Sequence, residues 1–429
     1  MVVQRGQAKI AWYEGVMLVA AAPFLLFPEI MPVATAVSLV LIIIIWVFPW
    51  LSSQPLLVPT PLNLAMLCFL LMLGVSILVT ADPELTLPKA TSLILGLTSW
   101  RYLVNHIHTR FHLLLTLCLL GGLGVGFTGM GVLAADWMFK VPIIQEIAAQ
   151  LPEQIVRVPG VDGVHTNQLA GTVLPFFPLL LALCLGWSGN RWQQGLLASL
   201  FLVTTAVLIL TQSRTGYIGA VGGGMVLLLL WAWLLPATPR NRKIQLGISI
   251  LLAVGLIGGL SVGNERLLSV WQEPQQETVV GSITSLSFRQ EVWQWSVVAI
   301  SDFPFTGTGL GTFRQVVRRF YPLAITPTYD IAHAHNIFLQ TALDVGLPGL
   351  VAYLSLVGLA LQQSWQVAVA SRAALLRPVA LGLIAGMVAI HLFGVADALA
   401  LGAKPALIFW VMLAMMTVLP RFVATANAP

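Results

Sequence analysis

Runs of about twenty apolar residues recur along this chain, and each is long enough to cross a bilayer as a helix. Twelve candidates fall at roughly 11–29, 32–50, 62–80, 86–104, 112–133, 169–187, 193–211, 216–235, 244–262, 337–363, 377–395 and 405–420. Pro, Gly and polar clusters punctuate them, as at Pro55 to Pro61 and Pro236 to Lys243. Charged residues make up only 9% of the 429, where a soluble domain carries roughly 25%. A surface that poor in charge is solvated by lipid, which excludes a soluble enzyme, a nucleic-acid module and a disordered tail. The expected fold is therefore all-α: one integral membrane domain over 1–429, a polytopic membrane protein of about twelve transmembrane helices. The first run contains Glu14 and has no small-residue cleavage site, so it reads as a span rather than a signal peptide. Cys68, Cys118 and Cys184 all lie in apolar runs and read as buried thiols, with neither a disulfide framework nor a zinc spacing.

Charge sets the expected orientation. With the N-terminus inside, 11 of the 21 Lys and Arg fall in inside loops or tails, among them Arg5, Arg101, Arg240 and Arg421. The short outside loops hold Lys89, Lys140, Arg157, Arg214 and Lys404. The net charge of +5 thus reflects topology rather than a nucleic-acid partner. Two long polar segments, 134–168 and 263–336, then face outward, the second as a large periplasmic or extracellular loop. Carriers place ionisable residues near mid-membrane. Here only Glu14, Asp344 and His391 stand out within the spans, and polar residues gather on the outer side instead. That favours an enzyme at the outer interface over a carrier.

In the large loop, Ser287 with Gln290 reads as a capping box opening a helix to about Ile300, and Thr312 with Gln315 as a second. These are expected to be short interfacial helices. Between them lies Asp302-Phe303-Pro304-Phe305-Thr306-Gly307-Thr308-Gly309-Leu310-Gly311, a glycine-rich turn with no strand before it, which argues against a dinucleotide loop. Arg289 falls in the first turn of the first helix, where the dipole disfavours a cation unless an anion joins it; it could equally pair with Glu291 or stand in solvent. Arg314, Arg318 and Arg319 project from the second helix. Arg214 is held in a loop of a few residues, pointing either to lipid headgroups or into the mouth of the bundle, and its planar fork suits phosphate. His333-Ala334-His335-Asn336 ends the long segment just where the span at 337–363 begins. A helix N-terminus beside His335 suits phosphate, and a neutral imidazole there could take a proton from a hydroxyl; capping or plain hydrogen bonding are the alternatives. Two His at this spacing could bind metal, but no acidic or Cys ligand stands directly beside them in sequence. His165-Thr166-Asn167-Gln168 precedes another span in the same way and is a candidate for the same mouth. Asp344 to Gly349 should bend the span at 337–363, Val141 to Leu151 should form an interfacial amphipathic helix, and Asp397 and Lys404 flank the last outer loop and could pair.

With these residues the chain resembles the O-antigen ligase and polymerase superfamily of polytopic bacterial membrane proteins. The resemblance rests on Ser213-Arg214-Thr215-Gly216, on Phe288-Arg289 followed by the Asp302-Phe303-Pro304 and Gly307-to-Gly311 run, and on His335-Asn336 ahead of Gly346. It covers about 200–357. Gly346 is followed by Leu347 where ligases often have Val or Thr, which leaves ligase and polymerase open.

The resemblance implies transfer of a glycan from an undecaprenyl-diphosphate-linked donor to an acceptor sugar hydroxyl, lipid-linked or glycan. It also implies an active site on the outer face of the cytoplasmic membrane. The implied chemistry is an inverting, metal-independent transfer of the GT-C type, without a cofactor. It makes His335, Arg214 and Arg289 the catalytic candidates. Arg214, Arg289, Arg318, Arg319, His333 and Asn336 are the candidates to hold the donor diphosphate, with membrane lipids as the other partners. A polymerase would use a second lipid-linked glycan as acceptor. Some relatives are associated with bicarbonate accumulation, which would make the chain a carrier, and a non-catalytic glycolipid scaffold is the remaining alternative.

Overall fold

The computed structural model describes residues 2–51, 55–137, 163–235, 285–321, 331–371 and 375–423, with single positions between them. The expected span at 244–262 and most of the expected helix at Val141–Leu151 lie outside the described residues. So do 263–284 and 322–330 of the large loop. The described residues are helical apart from turns and one isolated bridge, Ala135 with Val164.

In chain order the helices are α1 (Val2–Leu26), α2 (Pro32–Leu51), α3 (Asn63–Leu78), α4 (Pro83–His106), α5 (Arg110–Ala134), α6 (Thr166–Val173) and α7 (Phe176–Gly186). Then come α8 (Arg191–Thr211), α9 (Arg214–Leu234), α10 (Ser285–Asp302), α11 (Phe313–Phe320), α12 (Ile337–Ala370), α13 (Leu376–Gly394) and α14 (Leu407–Val418). Helix thus stands at every expected span outside 244–262. By length and apolarity, however, seven stretches among the described residues suffice to cross a membrane, against the twelve expected. Shorter apolar helices at Ile10–Leu26, Pro32–Phe48 and Asn63–Leu78 fall below that length. α4 is long but carries Lys89, Arg101 and several hydroxyl residues.

Burial sorts the helices into an inner and an outer set. Every residue of α14 and most of α13 are enclosed by protein, whereas α5 and α8 are mostly open. The outer set turns its largest apolar side chains outward, with Val19, Leu64, Leu78 and Leu202 well exposed. That pattern fits lipid as the solvent, since the apolar residues of a soluble helix would face inward. It also corrects the expectation for the thiols. Cys68, Cys118 and Cys184 are exposed on the outside of the bundle rather than packed within it.

Each ionisable exception within the spans is satisfied internally. Arg101, fully buried rather than in an inside loop, reaches Glu14 through Nη1 and Nη2 at 3.4 and 3.3 Å and donates Nε–H to Leu56 O. His106 Nε2 lies 2.8 Å from the same carboxylate. His391 Nε2 meets the Tyr353 hydroxyl at 2.8 Å, and Asp344 Oδ1 accepts from Gly311 N at 2.9 Å and from Gln340 Nε2 at 2.8 Å.

α12 is the longest helix at 34 residues and breaks where Asp344 to Gly349 foretold. Gly346 has φ 72° and ψ 171°, a region open essentially to glycine alone. A neighbouring turn causes the break. Leu347 N donates to Pro304 O at 2.8 Å, Thr308 N donates to Leu343 O at 2.7 Å, and a Cβ on Gly346 would stand 2.2 Å from Phe305 O. The glycine-rich turn, with positive φ at Gly307, Gly309 and Gly311, is thus docked into the helix. Its far side is held by α4, where Thr86 Oγ1 donates to Leu310 O at 2.8 Å and Asp82 Oδ2 accepts from Gln315 Nε2 at 3.1 Å.

Candidate active site

Asn336 opens α12. Its Oδ1 accepts from Phe338 N at 2.9 Å and Leu339 N at 3.0 Å, filling two of the donor positions a helix start leaves open. Its Nδ2 donates to Val395 O at 2.8 Å and ties α12 to the end of α13. Both ends of the Asn336 amide are thereby committed to the fold. Reaching this cap requires a chain reversal at His335, whose φ is +48°. Non-glycine residues adopt that conformation seldom, and it concentrates at functional positions.

The reversal sets His335 Nδ1 3.6 Å from Asp397 Oδ1, an ion-pair distance across the gap between the 331–336 segment and the loop after α13. Asp397 is 4% exposed, and its Oδ1 also accepts from Ala398 N at 2.8 Å. His333 lies beside His335 with ring centroids 4.3 Å apart and the ring planes tilted by 52°. His333 Nδ1 accepts the His335 N–H at 3.2 Å, so its proton sits on Nε2 when the ring is neutral. Ala334 N between them donates to Gln340 Oε1 at 2.8 Å.

Burial raises the Asp397 carboxyl, but the contact with His335 and the charges of His335, His333 and Arg289 outweigh it, holding the group well below the usual carboxylate range. Burial, followed by the His335 charge, pulls His333 down to about 3, and Lys89 and His165 act the same way against Asp397. At neutral pH the arrangement is a neutral His333 beside an ionised Asp397. The charge of Arg289 thus reaches Asp397, and those of Lys89 and His165 reach His333. His165, offered by the sequence as a second candidate for the mouth, caps α6 by accepting Asn167 N at Nδ1, 3.1 Å away.

Arg214 is the first residue of α9 and is half-buried. Gln212 ends α8 at φ +50°, the other non-glycine positive φ among the described residues, and Ser213 Oγ then caps α9 through Gly216 N at 3.2 Å. A methyl group on Gly216 would lie 3.0 Å from Ala170 Cβ of α6. The first turn of α9, which carries Arg214, therefore packs against α6 at Ala170, five residues beyond His165.

Arg289 is half-buried on α10. This helix is already formed at Ser285, so Ser287 lies inside it rather than at its cap. Arg289 consequently sits beyond the first turn, where the dipole penalty fades. The second expected capping box also differs. Thr312 directs its hydroxyl back to Thr308 O at 2.7 Å and Gly309 O at 2.9 Å, and Gln315 reaches Asp82 instead of its own helix start. A small core of Val292, Ala299, Phe313, Val316, Ala334 and Leu343 fixes α10 and α11 against the 331–336 segment and α12. Arg314 is half-buried and Arg319 exposed; the Arg318 side chain lies outside the described residues.

Two site residues escaped the sequence reading. Asp397 and Lys404 do not pair: Asp397 faces His335, and Lys404 Nζ lies 4.3 Å over the Phe27 ring. Lys89, read only as an outside loop charge, comes in from α4. His333, His335 and Asp397 have ligand atoms within 4.8 Å of one another, a grouping that could hold a metal ion. The acid of this grouping, Asp397, comes from 62 positions beyond His335. Arg289 and Lys89 bring positive charge to this cluster, which suits an anion better than a divalent cation.

Residues 197–354 match a family model described as O-antigen ligase. The matched stretch runs from α8 past the break in α12 and contains Arg214, Arg289, His333 and His335. No curated protein matches the chain.

Proposed function

From the premise that residues 197–354 support membership of the O-antigen ligase superfamily, we propose that this chain transfers a glycan from undecaprenyl diphosphate to an acceptor sugar hydroxyl at the outer face of the bacterial cytoplasmic membrane. The observation that carries the reading is His335, held in a left-handed conformation at the mouth with Asp397 3.6 Å from Nδ1. With Nδ1–H directed at Asp397, Nε2 is the atom that serves as the base. It takes the proton of the acceptor hydroxyl while that oxygen bonds to the anomeric carbon and the carbon–oxygen bond to the diphosphate breaks, inverting the centre. Asp397 balances the imidazolium that forms. Arg214 and Arg289 take up the negative charge growing on the leaving diphosphate, and His333 borders the same ligand. A polymerase would share every step except the acceptor. Glu14, Asp344 and His391, the residues a carrier would need open to a passage, are engaged within the protein.

The test is transfer by purified protein supplied with a lipid-linked donor. Arg214→Ala and Arg289→Ala should weaken donor binding and transfer together, and Arg214→Lys should rescue poorly because an ammonium cannot make the paired contact. Excess EDTA should leave the rate unchanged. Strict dependence on a divalent ion would assign the charge stabilisation to the His333–His335–Asp397 grouping instead.

A further inference from the structure

We propose that Lys89, carried on α4, is a third cation for the bound diphosphate. The inference rests on the glycan-transfer reading above and adds a contact from α4, outside residues 197–354. Lys89 lies two turns into α4, just beyond Asp82 and Thr86, which anchor the glycine-rich turn. Its side chain runs across Gly311, where φ is +75° and an added Cβ would meet Lys89 Cδ at 2.6 Å and Nζ at 3.1 Å. Gly311 N donates to the buried Asp344, so the shelf beneath the lysine is fixed. The lysine's backbone is fixed too, since a Cβ on Gly402 would stand 2.6 Å from Lys89 O.

The ammonium is half-buried, and its charge acts on His333 and on Asp344. Asp344 already accepts two hydrogen bonds. Among the described residues no acceptor or carboxylate lies within hydrogen-bond or ion-pair distance of Lys89 Nζ. Lys404, the neighbouring cation on this end, is by contrast spent on the Phe27 ring. A half-buried ammonium over Gly311, its charge felt by the same His333 that His165 acts on, needs an anion to offset its desolvation. A diphosphate, with two phosphoryl groups to share among several cations, is the ligand chemistry that fits. An anionic phospholipid headgroup offers the same phosphate, and the test separates the two.

Full-length protein in phosphatidylcholine nanodiscs is titrated with undecaprenyl diphosphate. Lys89→Met keeps the methylenes over Gly311 and removes the charge, and should weaken binding by about tenfold or more. Lys89→Arg should stay within about threefold, and both variants should unfold at the wild-type temperature. In the wild type, undecaprenyl diphosphate should slow acylation of the Lys89 amine, read by mass spectrometry with Lys404 as the internal reference. The proposal is overturned if Lys89→Met binds like wild type while Arg289→Ala does not, a result that leaves the glycan-transfer reading standing. It is overturned equally if Lys89 labels at the same rate with and without the ligand. Protection by phosphatidylglycerol nanodiscs alone, with no further effect of undecaprenyl diphosphate, would assign the lysine to headgroups and overturn it as well. Wild-type protein that binds no undecaprenyl diphosphate overturns both readings together.

Discussion

At the scale of single residues the site is built from groups whose charge states are set by one another. His333 is the clearest case, because its folded pKa of about 3 lies far below its ordinary 6.5. Between those values the unfolded chain binds the additional proton, so stability rises with pH across that window and is lost as pH falls from about 6.5 toward 3. Asp397, held below the usual carboxylate range, contributes in the same direction but only below about pH 4. Purified protein should therefore unfold at a lower temperature near pH 5 than near pH 7.5, and His333→Gln should shrink that difference. A wild type and a variant with the same pH dependence would contradict the assignment of His333 as half-buried and neutral. His333, His335 and the two arginines could be proposed from sequence because they stand in short motifs beside span ends. Asp397 and Lys89 were not, since each joins the mouth through a helix packed from elsewhere in the chain. Neither carries a local signature, and a lone charge at the end of a span reads as topology.

At the scale of elements the decisive feature is the junction of the glycine-rich turn with the broken α12. Hydropathy and the Gly-Leu-Pro-Gly run foretold the bend, but not that the turn at 303–311 would fill it. The helix starts were less legible. Ser287 and Thr312 both have a cap's spacing, yet α10 is already helical before Ser287, and the Thr312 hydroxyl serves the turn. In the second case the bonds of Thr312 to the turn and the tertiary bond from Gln315 to Asp82 decided against the capping pattern. Gly346→Ala should cost about 1–3 kcal/mol for the backbone conformation alone, and more with the overlap at Phe305 O, 2.2 Å from the added carbon. Gly358→Ala, in the same helix with nothing within 4 Å, is the matched control and should be neutral or stabilising. Thermal unfolding of the two variants checks this; equal stability would mean that the turn does not hold the break.

At the scale of the whole molecule, membrane character and the all-helical fold were plain from twenty-residue apolar runs and scarce charge. The number of crossings was less so, since α1 to α3 are apolar but short and α4 is long but polar. The end of the bundle holding Arg421, which donates to Val104 O at 2.7 Å, is opposite the end of α4 that carries Lys89. Reporter fusions at Gln150 and Gln275 should therefore read outside and one at Arg240 inside, and a cytoplasmic signal at Gln275 would place the mouth on the wrong side for a lipid-linked donor. The central claim is that His335 moves the acceptor proton with Asp397 behind it, and single-turnover glycan transfer measured alongside donor binding tests it most directly. His335→Ala should lower the rate by about 10²–10⁴ with donor binding retained, and Asp397→Asn should lower it in the same manner. Transfer at the full rate by His335→Ala would contradict the account and leave His335 as a structural turn ahead of α12.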